Sequence, residues 1–98
     1  MPPPLVLQFL IDAENIEKFA QHGLTDRQVD QVLQNPYLII DNRKRRRAPY
    51  LIIGEDNGGQ CVTIPIEPTD DPVLWRPVTA WPCKVSEYNQ LRRTRSRG

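Results

Sequence analysis

Five consecutive cations, residues 43 to 47, form the densest cluster of chemically capable side chains in this sequence. The run stands between two copies of the word Pro-Tyr-Leu-Ile-Ile, which begin at residues 36 and 49. Arginine suits phosphate because its planar guanidinium donates two parallel hydrogen bonds. Five adjacent like charges repel one another, so we predict that RNA or an acidic protein segment binds the run; a solvated turn is the alternative. The predicted RNA-binding residues are Arg43, Lys44, Arg45, Arg46, Arg92 and Arg93.

The charge of the chain is unevenly distributed. Residues 1 to 42 carry six acids and two bases, whereas residues 43 to 98 carry six acids and eleven bases. The net charge of +1 therefore conceals a negative first part and a positive second part. Such asymmetry favours an anionic partner for the basic part, and nucleic acid is the commonest candidate.

Metal-free RNA cleavage needs a base for the 2′-hydroxyl, cations to stabilise the phosphorane, and an acid for the leaving oxygen. His22 is the first candidate for acid or base, because an unperturbed imidazole titrates near neutrality. A histidine at the end of a helix also interacts favourably with the helix dipole, which is the structural alternative. The candidates for phosphate stabilisation are Arg47, Arg76, Arg92 and Arg93. The other proton-transfer candidates are Tyr50, Tyr88 and Glu67, for each of which packing or surface exposure is the commoner role.

The two cysteines suggest no metal chemistry. Cys61 and Cys83 form no Cys-x-x-Cys pair, and His22 is the only histidine that could join them in a zinc site. We therefore predict neither a metal nor a small-molecule cofactor. The chain shows no basic leader and no long apolar run, so no membrane association is expected. The expected location is a reducing cytoplasm, in which both thiols stay free.

Two short helices are predicted in the first third of the chain. Asp12 can cap a helix that ends at Gly23, where a left-handed residue is favoured. Thr25 and Gln28 then fit a capping box, which begins a second helix at residue 26 and carries it to about residue 34. The Asn-Pro pair at residues 35 and 36 stops that helix before the repeated word.

Period-two apolar patterns predict the strands of a small sheet. The predicted strands are residues 5 to 11, 37 to 41, 50 to 54, 60 to 67 and 73 to 81. The first of them sets Leu5, Leu7 and Phe9 on one face together with Ile11. Pro65 argues for an edge or bulged position because proline has no N–H to donate, and Pro77 is expected to interrupt the last strand.

These elements define an α+β fold class in one domain. Two short N-terminal helices are expected to pack on an antiparallel sheet of four to five strands, with all helices on one face. A short C-terminal helix follows at residues 85 to 91, with Val85, Tyr88 and Leu91 on one face. The expected folded core is residues 5 to 91, with flexible ends at residues 1 to 4 and 93 to 98.

Three segments carry a resemblance to a known family. They read HGLTDRQVDQVLQNP, YLIIG and VTAWPCKVSEY. Between residues 9 and 91 the chain resembles the BrnT-type toxins of bacterial type II toxin–antitoxin systems and their small relatives, whose fold is RelE-like. The resemblance implies a cytoplasmic, metal-independent endoribonuclease that is held inactive by a cognate antitoxin. It also supports His22 at the end of the first helix as a family-typical position.

The chain departs from the toxin pattern at basic positions. Trp81 and Leu91 stand where such toxins carry arginine and tyrosine, and Pro49 stands where they carry an arginine before the strand. The first functional hypothesis is a ribonuclease toxin that cleaves RNA by attack of the 2′-hydroxyl. The alternative is a non-catalytic relative that binds nucleic acid or a protein partner through its basic hairpin.

Overall fold

A computed structural model describes residues 4–44 and 47–96 of the chain, the last two of these as backbone only. In the described residues, three helices and six strands follow one another in the order strand, two helices, five strands and one helix. They are β1 (Gln8–Phe9), α1 (Ala13–Ala20), α2 (Asp26–Val32), β2 (Tyr37–Asp41), β3 (Tyr50–Glu55), β4 (Cys61–Pro68), β5 (Leu74–Pro77), β6 (Trp81–Pro82) and α3 (Val85–Ser96). The α+β class is therefore confirmed. None of the described helices is long and apolar enough to cross a bilayer.

The sheet is mixed and has six strands, so the predicted antiparallel sheet of four to five strands is wrong in detail. Its strand order is β1-β5-β4-β3-β2, and β6 pairs with β4. All pairs are antiparallel except β1 with β5. The two repeated words pair with each other as predicted: Leu38 lies opposite Ile53, and Ile40 lies opposite Leu51.

The helices cover both faces of the sheet. On one face, Ile52, Ile64 and Ile66 pack with residues of α1 and α2 in the main core. Side chains alternate along a strand, so Leu38 and Ile40 point to the other face, where they line cavities together with residues of α3. The expectation of all helices on one face is therefore wrong for α3.

Both N-terminal helices begin at the predicted caps. The Asp12 carboxylate accepts from the backbone N–H of Asn15, and the Asn15 side chain accepts from the N–H of Asp12. Thr25 and Gln28 form the same reciprocal pair at the start of α2. Gly23 has φ 75° after α1, the left-handed conformation expected of it. These local bonds satisfy helix N–H groups that would otherwise lack a partner.

The first strand does not follow the predicted period of two. Val6 and Phe9 are buried, whereas Leu5 and Leu7 are 62% and 63% exposed. The N–H groups of Leu7 and Gln8 both donate to the carbonyl of Val73, so the alternation slips by one residue at this point. The predicted face is therefore wrong for Leu5 and Leu7, whereas Phe9 lies in the core and Ile11 packs against it.

The two prolines of the C-terminal strands act as predicted. β4 pairs with β3 along its length, but its other side pairs with β6 at residues 62 and 63 and with β5 from residue 66 onward. Pro65 lies in the gap between those two ladders, where a missing donor costs least. Pro77 ends β5, and the chain resumes as β6 at Trp81.

Cys61 and Cys83 form a disulfide, so the prediction of two free thiols is wrong. Their Cα atoms are 5.3 Å apart, within the normal range for such a bridge. The antiparallel register of β4 with β6 brings the two residues opposite each other. The cytoplasmic location was predicted together with free thiols; it loses that support and stays a prediction.

Candidate functional site

A cavity of about 410 Å³ lies between the β2–β3 hairpin and the first turn of α3. Ile40, Leu51 and Trp81 form the apolar part of its lining. Arg43 and Lys44, which follow β2, form part of its polar lining and are exposed. Pockets that hold small ligands usually have volumes of about 300 to 1,000 Å³ and a mostly apolar lining with a few convergent polar groups. The cavity therefore has the size and composition of a ligand site.

Glu87 is the buried polar group of this cavity. It is 8% exposed, and one carboxylate oxygen, Oε1, accepts three hydrogen bonds. The donors are the Thr63 hydroxyl at 2.9 Å, the Trp81 indole N–H at 3.1 Å and the Lys84 backbone N–H at 2.8 Å. Glu87 thereby caps the start of α3 and fixes the Trp81 ring at the same time. A single carboxylate joins strand, helix and aromatic side chain.

The disulfide lies next to this network. Cys83 separates β6 from α3, and its sulfur lies 3.4 Å from the Thr63 hydroxyl that donates to Glu87. Lys84, the next residue, places its ammonium 5.8 Å from the centre of the Trp81 ring, within cation–π range. The bridge to Cys61 therefore holds the segment that carries the cavity's aromatic and cationic groups.

A second cavity, of about 290 Å³, continues along α3. It shares Ile40 and Gln90 with the first cavity, and Arg93 adds a further cation to its lining. We call the two cavities together the α3 groove. The groove thus runs along α3 beside β2. This strand is at an edge of the sheet, because its one partner in the described sheet is β3.

The cations of the α3 groove form no ion pair within the described part of the chain, although the Asp41 carboxylate lines the same cavity. Arg43, Lys44, Lys84 and Arg93 line the groove. None of the four forms an ion pair with a carboxylate that the structure describes. They come from three separate segments, so their proximity is a product of the tertiary structure. A row of unpaired cations beside an apolar lining is suited to an extended polyanion with flat apolar groups.

Arg47 and Arg76 belong to a different site, which we call the Glu67 cluster. Arg47 donates to both carboxylate oxygens of Glu67, at 3.0 and 3.4 Å. Arg76 lies opposite Glu67 in the β4–β5 ladder and places its Nε atom 3.7 Å from the same carboxylate. Arg76 also pairs with Asp12 at 2.7 Å, so both arginines already have carboxylate partners.

The electrostatics of Asp12 reflect this arrangement. The backbone N–H of Asn15 donates to the carboxylate and lowers its pKa; partial burial raises the pKa, but the Arg76 guanidinium lowers it further. The pKa of Asp12 is therefore below its usual value. Helix cap and ion pair both stabilise the ionised form, and they join α1 to β5.

The predicted catalytic residues do not come together. His22 is exposed just beyond α1, whereas Asp12, at the start of α1, contacts Arg76. An eight-residue helix rises about 12 Å, so His22 lies on the order of that distance from Arg76. Tyr50 is half-buried and meets Trp75 edge-on at 5.8 Å between ring centres, which is a packing role. Only Arg47 and Arg76 of the predicted set share a site.

The predicted RNA-binding residues separate in a similar way. Arg43, Lys44 and Arg93 line the α3 groove. Arg92 lies 5.7 Å from the centre of the Tyr88 ring on α3. The positions of Arg45 and Arg46 lie outside the described residues.

Sequence reasoning missed the roles of Lys84 and Glu87 in the groove. A weak signal was present, because Glu87 stands three residues after Lys84 at the start of a predicted helix, the spacing of a capping box. Val85 and Tyr88 were expected on the buried face of that helix, but they are 77% and 39% exposed. Glu87 and Leu91 are buried instead. The hydrogen bonds of Glu87 thus fix which side of the helix faces the sheet, and hydropathy alone does not predict this.

Neither protein-family models nor curated proteins match this chain. The resemblance to BrnT-type toxins therefore stays a prediction. The site has to be interpreted from its own geometry, which sets unpaired cations, an oriented tryptophan and a buried carboxylate around one groove.

Proposed function

We propose that this protein binds single-stranded RNA along the α3 groove. The observation that carries the proposal is the alignment of Arg43, Lys44, Lys84 and Arg93 on a partly apolar groove without carboxylate partners among the described residues. Single strands bind proteins through a basic groove that follows the phosphates and aromatic rings on which bases stack. Trp81, whose ring is held by Glu87, is the aromatic group of this groove.

The groove favours single strands over duplexes for a geometric reason. Its apolar lining is useful only to a ligand whose bases are unstacked and turned outward, because paired bases keep their faces inside the helix. The edge position of β2 leaves one side of the groove open, as an extended chain requires.

A salt titration with matched variants tests the proposal. An unstructured RNA oligonucleotide should bind the wild-type protein, with an affinity that falls as salt rises. Changing Arg43→Gln together with Lys44→Gln should reduce the slope of log affinity against log salt by about 1.4, since each lost phosphate contact contributes about 0.7 on single strands. Arg27→Gln is the control, because Arg27 is exposed on α2 and lines neither the α3 groove nor the Glu67 cluster. No binding by the wild type, or equal slopes for both variants, would contradict the proposal.

The second candidate is RNA cleavage by a metal-independent toxin of a toxin–antitoxin pair. The convergence of Arg47 and Arg76 on Glu67 favours it. A carboxylate can take a proton from a 2′-hydroxyl, and two guanidinium groups can stabilise the phosphorane that forms; the P–O5′ bond then breaks, and the leaving 5′-oxygen takes a proton from water. In this role Glu67 is the base, and an incoming phosphate replaces it as the partner of the arginines.

One incubation experiment distinguishes RNA cleavage from RNA binding. Under the second candidate, the purified protein cuts labelled RNA in the presence of EDTA, and Glu67→Gln abolishes the cut without changing the oligonucleotide affinity of the α3 groove. RNA that stays intact with folded wild-type protein removes the cleavage candidate and leaves binding. Expression that arrests growth, with relief by the product of an adjacent reading frame, is the cellular counterpart for a toxin and its antitoxin.

A further inference from the structure

The second oxygen of the Glu87 carboxylate has no partner that the structure describes. All three donors of the network, from Thr63, Trp81 and Lys84, reach Oε1. Glu87 is more than nine-tenths buried, and it lines the 410 Å³ cavity of the α3 groove. No buried side-chain oxygen or nitrogen in the described chain lacks a hydrogen bond, so Oε2 is open to the cavity instead of enclosed by protein. Oε2 is therefore a hydrogen-bond acceptor that is accessible to a donor group of a ligand.

The cavity around this oxygen offers complementary groups for the rest of a nucleotide. Trp81 presents a ring whose orientation is fixed by its bond to Glu87. Arg43, Lys44 and Lys84 line the same cavity and can pair with a phosphate. The three features, a single acceptor, an aromatic surface and a cationic group, match the base edge, base face and phosphate of one nucleotide.

We propose that the cavity is a subsite for a single nucleotide whose base carries an exocyclic amino group. The inference rests on the proposed RNA binding and adds which base the groove prefers. Glu87 Oε2 accepts a hydrogen bond from the amino group, and the cations at residues 43, 44 and 84 hold the phosphate. Cytosine illustrates the fit, because its N4 amino group donates to carboxylates in known base recognition.

Uracil is rejected for the same physical reason. A carboxylate accepts hydrogen bonds and cannot donate one, whereas uracil presents a carbonyl oxygen where cytosine presents its amino group. In the pose of cytosine, a uracil base places its O4 carbonyl against Oε2, so two acceptors face each other; the uracil N3–H donor reaches Oε2 only in a shifted pose. The two pyrimidines have nearly the same size and shape, so stacking and steric fit do not separate them.

Free mononucleotides provide a direct test. Cytidine monophosphate and uridine monophosphate are titrated into the wild-type protein, with calorimetry and the fluorescence of its two tryptophans, Trp75 and Trp81, as readouts. Cytidine monophosphate should bind about tenfold more tightly or better, since a hydrogen bond to a charged group distinguishes ligands by at least that factor. It should also displace an RNA oligonucleotide from the groove. Equal affinity for the two nucleotides overturns the inference.

Glu87→Gln tests the assignment of the oxygen. The three donors at Oε1 require an acceptor, so they orient the glutamine carbonyl toward Thr63 and place the amide nitrogen at the former Oε2 position. That nitrogen donates to the uracil carbonyl, so the preference should disappear or reverse while the thermal midpoint stays near that of the wild type. Glu17→Gln, at an exposed position of α1, is the matched control and should keep the wild-type preference. An unchanged preference in Glu87→Gln overturns the inference.

The outcomes distinguish this inference from the proposed function. If the oligonucleotide binds but neither mononucleotide does, RNA binding stands and the subsite is rejected. If cytidine monophosphate binds selectively but the oligonucleotide does not, the subsite stands as a site for free nucleotides and RNA binding is rejected. If no ligand binds, both are rejected.

Discussion

The α3 groove and the Glu67 cluster are both rich in arginine or lysine, but they treat those cations differently. In the cluster, Arg47 and Arg76 form ion pairs with carboxylates at 2.7 to 3.7 Å, which leaves little charge for a ligand. In the groove, Arg43 and Lys44 have no such partner among the described residues, and the nearby Glu87 is occupied by neutral donors. The difference shows that neighbours in one basic run can serve opposite purposes, stabilising the fold at one end and facing a cavity at the other.

The two regions also differ in what holds them. A disulfide and a buried three-donor carboxylate organise the groove, whereas ion pairs with substantial solvent access organise the cluster: the Arg47 side chain is 65% exposed. Removing one partner of a buried hydrogen bond lowers the free energy of unfolding more than removing one partner of an exposed ion pair does. Mutations should therefore affect the groove more than the cluster.

Removal of the disulfide should have the largest effect. Changing Cys61→Ser and Cys83→Ser opens a cross-link between residues 22 positions apart, and the gain in entropy of the unfolded chain should lower the free energy of unfolding by about 3 kcal/mol. Urea unfolding with and without a dithiol measures it on the wild-type protein as well. Hydrogen exchange should increase mainly in residues 81 to 91; an equal increase in α1 would contradict the local role of the bridge.

Truncation of Glu87 should come next. Glu87→Ala leaves the Trp81 indole N–H and the Lys84 N–H without their acceptor and leaves the Thr63 hydroxyl only its 3.4 Å contact with the Cys83 sulfur, which should cost about 2 to 3 kcal/mol. Chemical unfolding gives the free energy, and near-ultraviolet circular dichroism should show a less ordered tryptophan. A loss under about 0.5 kcal/mol would mean that water replaces the carboxylate.

The corresponding change in the cluster should be smaller. Arg47→Gln removes an ion pair whose arginine side chain is mostly exposed, so the expected loss of unfolding free energy is about 0.2 to 1 kcal/mol before any reduction by salt. Unfolding at low and high salt should show that the difference between variant and wild type shrinks as salt rises. A loss as large as that of Glu87→Ala would erase the contrast between the two regions.

The smallest effect is a pH dependence at Asp12. The backbone N–H of Asn15 and the Arg76 guanidinium lower the pKa of Asp12 in the folded protein, so its stabilising contribution is present above the unfolded pKa of about 4 and is lost as pH falls through the folded value. Asp12→Asn keeps a good helix cap but cannot titrate. Between pH 5 and pH 2, unfolding midpoints of the variant should therefore decline less steeply than those of the wild type. Parallel decline in both would assign the acid sensitivity to other carboxylates.

Local interactions explain most of what could be predicted. The Asp12 cap, the Thr25–Gln28 capping box, the left-handed Gly23, and the strands at residues 37 to 41 and from residue 50 onward depend on residues close in the chain, and each is confirmed. Phe9 and Leu91 are buried, but the exposure of Leu5 and Leu7 before β1 and of Val85 and Tyr88 on α3 was not predicted, because a slipped register at Leu7 and a polar anchor at Glu87 decide which side faces inward. The hydropathy pattern predicts neither the slipped register at Leu7 nor the polar anchor at Glu87.

The candidate site depends more than the individual helices and strands do on contacts between residues that are far apart in the sequence. By itself, the sequence determined that a basic segment lies between two pairing strands; the binding of an anion by that segment stays a prediction. Only the tertiary structure decided that Arg47 turns away to Glu67, that Cys61 bonds Cys83, and that Trp81 and Glu87 line the groove beside those cations. The physical reason is that capping and turn preferences act within a few residues, whereas a groove is made where β2, β6 and α3 meet through register and burial.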